Sequence, residues 1–342
     1  MAFDTPIVDN RPVLDSLFAR WRFPCMSVGL ALDLFEELHR APASAETLAQ
    51  RLGLNPRAMR AILPVLAAGE LLTVRDGVFG LTVTARTYLL KASPFYFGPK
   101  LLTQARTSGE HDQLIQALKT PEGHKGDTGL ARPVDGWEAG DIAPDVARRV
   151  ASYMQAECAG LAIGAARSGV FAGVKRMLDV GGGSGVLSIA IADEQPDTHC
   201  TVLDLPAMCA VAMEYIEAAG CAGRVETLPL DMFRQPWPRG HDGMVFSNIY
   251  HDWRIETCAT LSRLAFEALE PGGRIFLHEM LYDEGHAGSL SPAGFSVQML
   301  LGTQGQQFTF AELRELLEDT GFTDIGVTHT FGYYSVVTGR KG

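Results

Sequence analysis

Apolar residues recur at helical spacing from Pro12 to His39, with Val13, Leu14, Leu17, Phe18 and Trp21 in one run and Val28, Leu30, Leu34, Phe35 and Leu38 in the next. The spacing predicts two helices, each with an apolar face turned towards a core. Next, Ser44 is placed to cap a helix that Gly53 stops, and Asn55 caps a second that begins at Pro56 and ends at Gly69. Two apolar strands follow, Leu71 to Val74 and Val78 to Val83, around Asp76-Gly77, a favoured two-residue hairpin turn. Helix, helix and hairpin in this order predict a winged helix-turn-helix. The stretch from Ser93 to Gly140 is rich in loops and carries four aromatic residues suited to a pocket wall or a core, Phe95, Tyr96, Phe97 and Trp137. Helical spacing returns from Asp145 to Ala172.

The second half changes period. At Lys175 to Leu187 the chain reads KRMLDVGGGSGVL: a strand ends at Asp179, three glycines make a tight turn, and an apolar helix runs from Val186 to Ala192. Glycines let the backbone approach a ligand closely, and the free N–H groups of the new helix attract negative charge. The alternation continues with strand Cys200 to Leu205, helix Ala207 to Ala219, strands Val225 to Leu228 and Gly243 to Asn248, helix Ile255 to Ala268 and strand Arg274 to Glu279. Strands alternating with helices predict a Rossmann-like α/β domain with a mainly parallel sheet that binds ligands at the carboxyl ends of its strands. Asp179, Asp204, Asp231 and the pair His251-Asp252 fall at such ends.

Composition narrows the classes. The 342-residue chain is long enough for two domains; 29 basic and 40 acidic residues give a net charge of −11, which argues against general affinity for nucleic acid or anionic membrane. No apolar run approaches the ~18 residues of a membrane span, and no leader stands at the N-terminus, so a cytoplasmic protein is expected. The six cysteines form no CxxC pair, which disfavours structural zinc and a disulfide framework. A DNA-reading winged helix needs a polar outer face on its second helix. Here that helix offers Arg57 and Arg60 but is otherwise apolar and interrupted by Pro64, which favours a packing or dimerisation role.

Asp204, one strand after the glycine turn, is placed to accept both ribose hydroxyls of a nucleoside. A dinucleotide fingerprint counted from Gly181 requires Gly or Ala where Val186 stands, so a nucleoside without a pyrophosphate fits better. S-adenosylmethionine is the cofactor these positions indicate. Asp204 takes its ribose, Asp231-Met232 the edge and face of its adenine, and the turn at Gly181 and Gly183 its methionine portion.

The motifs DVGGGSG at Asp179 to Gly185, LDLP at Leu203 to Pro206, LDMF at Leu230 to Phe233, SNIYHDW at Ser247 to Trp253 and LEPGGRIFLHEML at Leu269 to Leu281 resemble those of the S-adenosylmethionine-dependent O-methyltransferases of the caffeate and hydroxyindole type. The resemblance covers nearly the whole chain. It implies a winged-helix dimerisation domain over residues 1–100, a helical linker and lid over 101–165, and a methyltransferase domain over 166–342, assembled as a homodimer. It also implies cofactor contacts by Asp179, Leu205 and Ser247, and a small aromatic acceptor methylated at a hydroxyl.

A phenol ionises near pH ~10, so a base within hydrogen-bond reach assists its methylation, and histidine suits that role. The resemblance assigns the base to His251 and its orienting carboxylate to Glu279. At Gly302 to Phe310, GTQGQQFTF stands where the family has a glutamate that also contacts the histidine; here that residue is Gln307, a neutral amide. The substitution leaves open C- or N-methylation and non-methylating chemistry on the same fold. A regulator that binds DNA and a nucleoside-like effector is the reading from another class. Met154, Phe295 and Met299 are candidates for the acceptor pocket. No metal is expected, because Asp231 and Asn248 do not reproduce the spacing of a magnesium cluster.

Overall fold

The computed structural model describes residues 8–105, 109–120, 137, 139–286 and 288–342. The chain divides into two compact units, one comprising Asn10–Thr128 and Leu281–Thr309, the other including Gly129–Met280 and Phe310–Gly342.

In the first unit the two expected helices before residue 40 are three, α1 (Arg11–Phe18), α2 (Arg22–Ala31) and α3 (Leu34–Arg40). Asp33, at φ 57°, takes a left-handed conformation that separates α2 from α3. Both expected caps are present: Ser44 Oγ accepts from Thr47 N at 3.2 Å before α4 (Ala45–Leu52), and Asn55 Oδ1 accepts from Ala58 N at 3.2 Å before α5 (Pro56–Ala68). Contrary to expectation, Pro64 does not break α5. The helix is buried continuously from Ala61 to Leu66, and that packing offsets the one backbone hydrogen bond a proline forfeits. Strands β1 (Leu72–Arg75) and β2 (Val78–Leu81) pair around Asp76 and Gly77, whose φ values of 51° and 71° are those of the twist-matched hairpin turn. Helices α6 (Val83–Tyr88), α7 (Gly98–Ala105) and α8 (Gly109–Lys119) follow; between α6 and α7 Phe95 and Phe97 are exposed rather than lining a wall.

The second unit opens on α9 (Pro144–Arg167), which stops short of the expected Ala172 because Gly169 turns left-handed at φ 78°. Strand β3 (Arg176–Val180), α10 (Val186–Glu194), β4 (His199–Asp204), α11 (Pro206–Ala218), β5 (Val225–Pro229), β6 (His241–Ser247), α12 (Ile255–Ala268) and β7 (Leu269–Met280) then alternate as the periodicity predicts. Helix α13 (Leu290–Gly302) belongs to the first unit, where Phe295 stacks against Phe18 of α1 with centroids 5.4 Å apart. The chain returns through α14 (Phe310–Thr320) to β8 (Phe322–Phe331) and β9 (Tyr334–Lys341).

The sheet order is β5-β4-β3-β6-β7-β9-β8; the first five strands run parallel, and β9 and β8 add an antiparallel edge that the periodicity did not reveal. Strand order reverses between β3 and β6, so a crevice is left at their carboxyl ends. Helix α9 covers one face through small residues. A methyl group at Gly164 would lie 2.4 Å from Phe331 Cβ, whereas one at Gly160 would make ordinary contact at 3.5 Å. Gly164→Ala should therefore destabilise the protein by about 1–3 kcal/mol in urea unfolding, while Gly160→Ala should be neutral or stabilising by ~0.5–1 kcal/mol.

Candidate active site

A cavity of about 670 Å³, including its open mouth, occupies the crevice at the strand ends. The glycine turn forms its floor. Gly181 and Gly183 have φ values of 70° and 59°; a Cβ at Gly181 would meet Ile249 Cδ1 at 2.5 Å and one at Gly183 would meet Met154 Cε at 2.9 Å. Both glycines are thus required by conformation and by space. At the tip of β4, Asp204 Oδ2 accepts from Gly183 N at 2.9 Å and Oδ1 from Leu205 N at 2.7 Å, which binds the carboxylate to the turn. Desolvation outweighs these bonds and pushes Asp204 up to about 6. After β5, Asp231 Oδ1 accepts from Phe233 N at 2.9 Å and Oδ2 pairs with Arg234 at 2.6 Å, while Trp253 meets Phe233 edge-on at 4.8 Å. Met154, Leu205 and Met232 complete the part of the lining expected from sequence, and Trp137 and Asp252, both singled out there, line it as well; Met208 and Asn248 were not anticipated.

Of the anticipated cofactor residues two do not line the cavity, and the candidate catalytic residues His251 and Glu279, both buried, do not line it either. Asp179 is fully buried beneath the turn, its Oδ2 accepting from Ser188 Oγ on α10 at 2.7 Å and its Oδ1 without a partner. Burial, with a smaller contribution from the Asp204 charge, raises it to about 7. Ser247 Oγ bonds instead to His278 Nδ1 at 2.9 Å, and burial holds that histidine neutral by lowering it to about 4.

His251 reaches its position through a sequence of backbone turns. Strand β6 ends, Asn248 turns left-handed at φ 57° with its Oδ1 accepting from Tyr334 OH at 2.8 Å, and Tyr250–Asp252 form a single 3-10 turn. Glu279, on neighbouring β7, accepts at Oε1 from Ile249 N (3.1 Å) and Tyr250 N (2.9 Å), and its Oε2 lies 2.6 Å from His251 Nδ1. With Oε1 taken by the two backbone N–H groups and Oε2 accepting from the ring, Nδ1 carries the donated proton and Nε2 presents the lone pair. Asp252 Oδ1 stands 3.7 Å from Nε2, too far for a hydrogen bond but near enough to favour an imidazolium. Tyr250 is not a further acid or base: its hydroxyl bonds Ser262 Oγ at 2.8 Å in the core and burial raises it well above its ordinary value. Phe295, Met299 and Gln307 belong to the first unit and are buried there.

Residues 129–323 match the O-methyltransferase domain family, and residues 14–91 match the O-methyltransferase dimerisation domain. The chain is 32% identical over 352 aligned residues, 98% of its own length and 97% of the relative's, to the 3-hydroxy-5-methyl-1-naphthoate 3-O-methyltransferase of Streptomyces sahachiroi. It belongs to the O-methyltransferase family. The acetylserotonin O-methyltransferase of Mus musculus is 29% identical over 98% of this chain and 89% of that protein. A solved O-methyltransferase family 2 protein from Planctomyces limnophilus, in complex with apigenin, superposes with a TM-score of 0.86 at 26% identity, covering 100% of this chain and 98% of that one. The chain is an S-adenosylmethionine-dependent O-methyltransferase. The cavity's chemistry fits that cofactor: a Cβ at either glycine would fill the cradle, and Asp204 keeps acceptor capacity at the tip of β4. Among the described residues no helix is long and apolar enough to cross a membrane.

The raised Asp179 makes stability depend on pH with a definite sign. A carboxyl that ionises near 3.8 when free and about 7 when folded keeps its proton longer in the folded state, so its contribution is present below pH ~4 and is lost as pH rises towards 7, by up to about 4 kcal/mol. Asp179→Asn should therefore gain Tm relative to the wild type increasingly between pH 5 and 8. A gap independent of pH would contradict the buried, protonated carboxyl.

Proposed function

We propose that this enzyme methylates a hydroxyl of a small aromatic metabolite, with His251 as general base. The observation that carries the reading is the buried Glu279–His251 pair, which supports one tautomer and a basic Nε2. The names of the relatives above support an aromatic hydroxyl as the acceptor.

S-adenosylmethionine, when bound, supplies a methyl group made electrophilic by its sulfonium. Asp204 would bind the ribose hydroxyls, Asp231 and Met232 would meet the adenine, Gly181 and Gly183 would receive the amino-acid end, and Leu205 would contact the cofactor beside Asp204. Asp179 and Ser247 act one layer below. Asp179 ties the glycine turn to α10 through Ser188, and Ser247 fixes the end of β6 through His278. The acceptor hydroxyl gives its proton to His251 Nε2, and the resulting imidazolium is stabilised by Glu279 at Nδ1 and by the nearby Asp252 charge. Met154 forms an apolar wall for the ring. Gln307, in the position of a family glutamate, leaves the orientation of the imidazole to Glu279. The functional assembly is a homodimer built through the dimerisation domain, which residues 14–91 match, with residues 1–100 as the dimerisation region, 101–165 as linker and lid, and 166–342 as the catalytic domain.

A panel of phenols, naphthols and hydroxyflavones incubated with methyl-labelled S-adenosylmethionine tests the reading. Transfer to oxygen is expected for at least one member, and His251→Ala should lower kcat about 10²-fold or more while leaving the Kd of S-adenosylhomocysteine unchanged. Transfer to carbon or nitrogen, or full activity in the variant, would contradict it.

A further inference from the structure

The turn that leads into α9 is tied to the loop after β5 through a single nitrogen. Arg234 Nη1 carries two hydrogens and donates to Ala139 O at 2.6 Å and to Asp231 Oδ2 at 2.6 Å, so it joins segments 95 residues apart in sequence. Both segments belong to the second unit. Gly140 stands directly against this bridge. Its φ is 72°, and a Cβ there would lie 2.0 Å from Nη1 and 2.3 Å from Asp231 Oδ2. Conformation and space both reserve the position for glycine.

Each end of the bridge leads to the cavity, which Asp231 and Trp137 both line. On one side the Asp231 loop is fixed from within: Asp231 N donates to Gln235 Oε1 at 2.8 Å, Gln235 N to Asp231 O at 3.1 Å, and Trp237 Nε1 to Met232 O at 2.8 Å. On the other side Gly140 N donates to Trp137 O at 3.2 Å, and Trp137 packs against a buried cluster that includes Ile142, Leu205 and Met208. The Arg234 side chain is 54% exposed and that of Asp231 14%. An ion pair with one partner in solvent adds little to stability. Its effect here is geometric: it fixes where the Asp231 carboxylate and the Trp137 turn stand relative to one another.

We propose that Arg234 is a positioning residue for the adenine end of the cofactor, acting from outside the cavity through Asp231. The proposal rests on the reading above in which Asp231 meets the adenine. With Oδ1 taken by Phe233 N and Oδ2 by Arg234, the carboxylate is held in one orientation, and each oxygen keeps a further lone pair for the exocyclic amino group of a purine. A purine with oxygen in place of that amino group presents an acceptor to an acceptor at the same point. Fixing the carboxylate beforehand spares the ligand the cost of ordering it. The bridge thereby makes recognition of the amino group depend on Arg234 and ties that recognition to the Trp137 turn.

Calorimetric Kd values for S-adenosylhomocysteine and its deaminated analogue S-inosylhomocysteine, measured on the full-length protein without an acceptor, test this. The wild type should favour the adenosyl ligand by about tenfold or more, because a site built to pair an amino group rejects the analogue that lacks it. Equal affinity in the wild type would defeat the adenine role of Asp231 and the proposal with it. Arg234→Met keeps an apolar stem without the guanidinium. It should weaken the adenosyl ligand about tenfold and leave the inosyl ligand within about twofold, so that the preference is lost. A preference that survives in Arg234→Met, or an equal loss for both ligands, would overturn the proposal while the adenine role of Asp231 stands. Gly140→Ala reaches the same bridge with both charges in place, its Cβ forcing Nη1 away from its partners. This variant should lower the preference several-fold, and an unchanged preference would overturn the role of the bridge.

Discussion

Glu279 divides its two oxygens between two tasks, and the turn that carries the candidate base depends on that division. Oε1 gathers the N–H groups of Ile249 and Tyr250, closing the turn that follows β6, while Oε2 takes Nδ1 of His251 at 2.6 Å. The same carboxylate therefore shapes the loop and orients the ring the loop carries. All three partners are buried, so each bond acts at low dielectric, where an ionised acceptor is worth most when fully met and costs most when left bare. In the proposed reaction this arrangement leaves Nε2 as the only ring position that can accept a proton.

A second layer supports the cofactor half by similar logic. Asp204 collects the N–H of Gly183 and Leu205 and so locks the glycine turn to the tip of β4, while Asp179 lies beneath the turn and joins it to α10 through Ser188. Neither acid is free to be repositioned without moving the floor of the cavity. Burial, with a smaller contribution from the Asp204 charge, favours the protonated form of the deeper acid, Asp179.

Local signals were legible wherever a residue acts on its own neighbours. The glycine turn, the caps Ser44 and Asn55, the Asp76-Gly77 hairpin and the alternation from β3 to β7 all express preferences set within a few residues, and all are found in the structure. Readings failed where sheet or helix packing decides. Pro64 was expected to interrupt a helix that burial carries through it, and α13 is buried on every side, so it has no amphipathic period to detect. Strands β8 and β9 form a sheet edge whose partly exposed residues alternate weakly. Asn248 entered the cavity lining unannounced, because its place follows from a left-handed turn and from the register of β6 against β7. Asp179 carried the right chemistry for a ligand, but the inward side of its strand put it one layer below.

The winged-helix half illustrates how a shape can be kept while its chemistry is redirected. Its second helix has the position and an arginine suited to phosphate, yet Arg57 caps backbone carbonyls of the same unit. The central claim, that one carboxylate fixes the tautomer of His251, is tested most directly by Glu279→Gln. The amide can still receive the two backbone N–H groups at its oxygen but offers an N–H to Nδ1, which forces the ring proton onto Nε2 and removes its basicity. The account predicts a kcat about 10²-fold or more below the wild type with the Kd of S-adenosylhomocysteine unchanged. A variant with the wild-type kcat would contradict it.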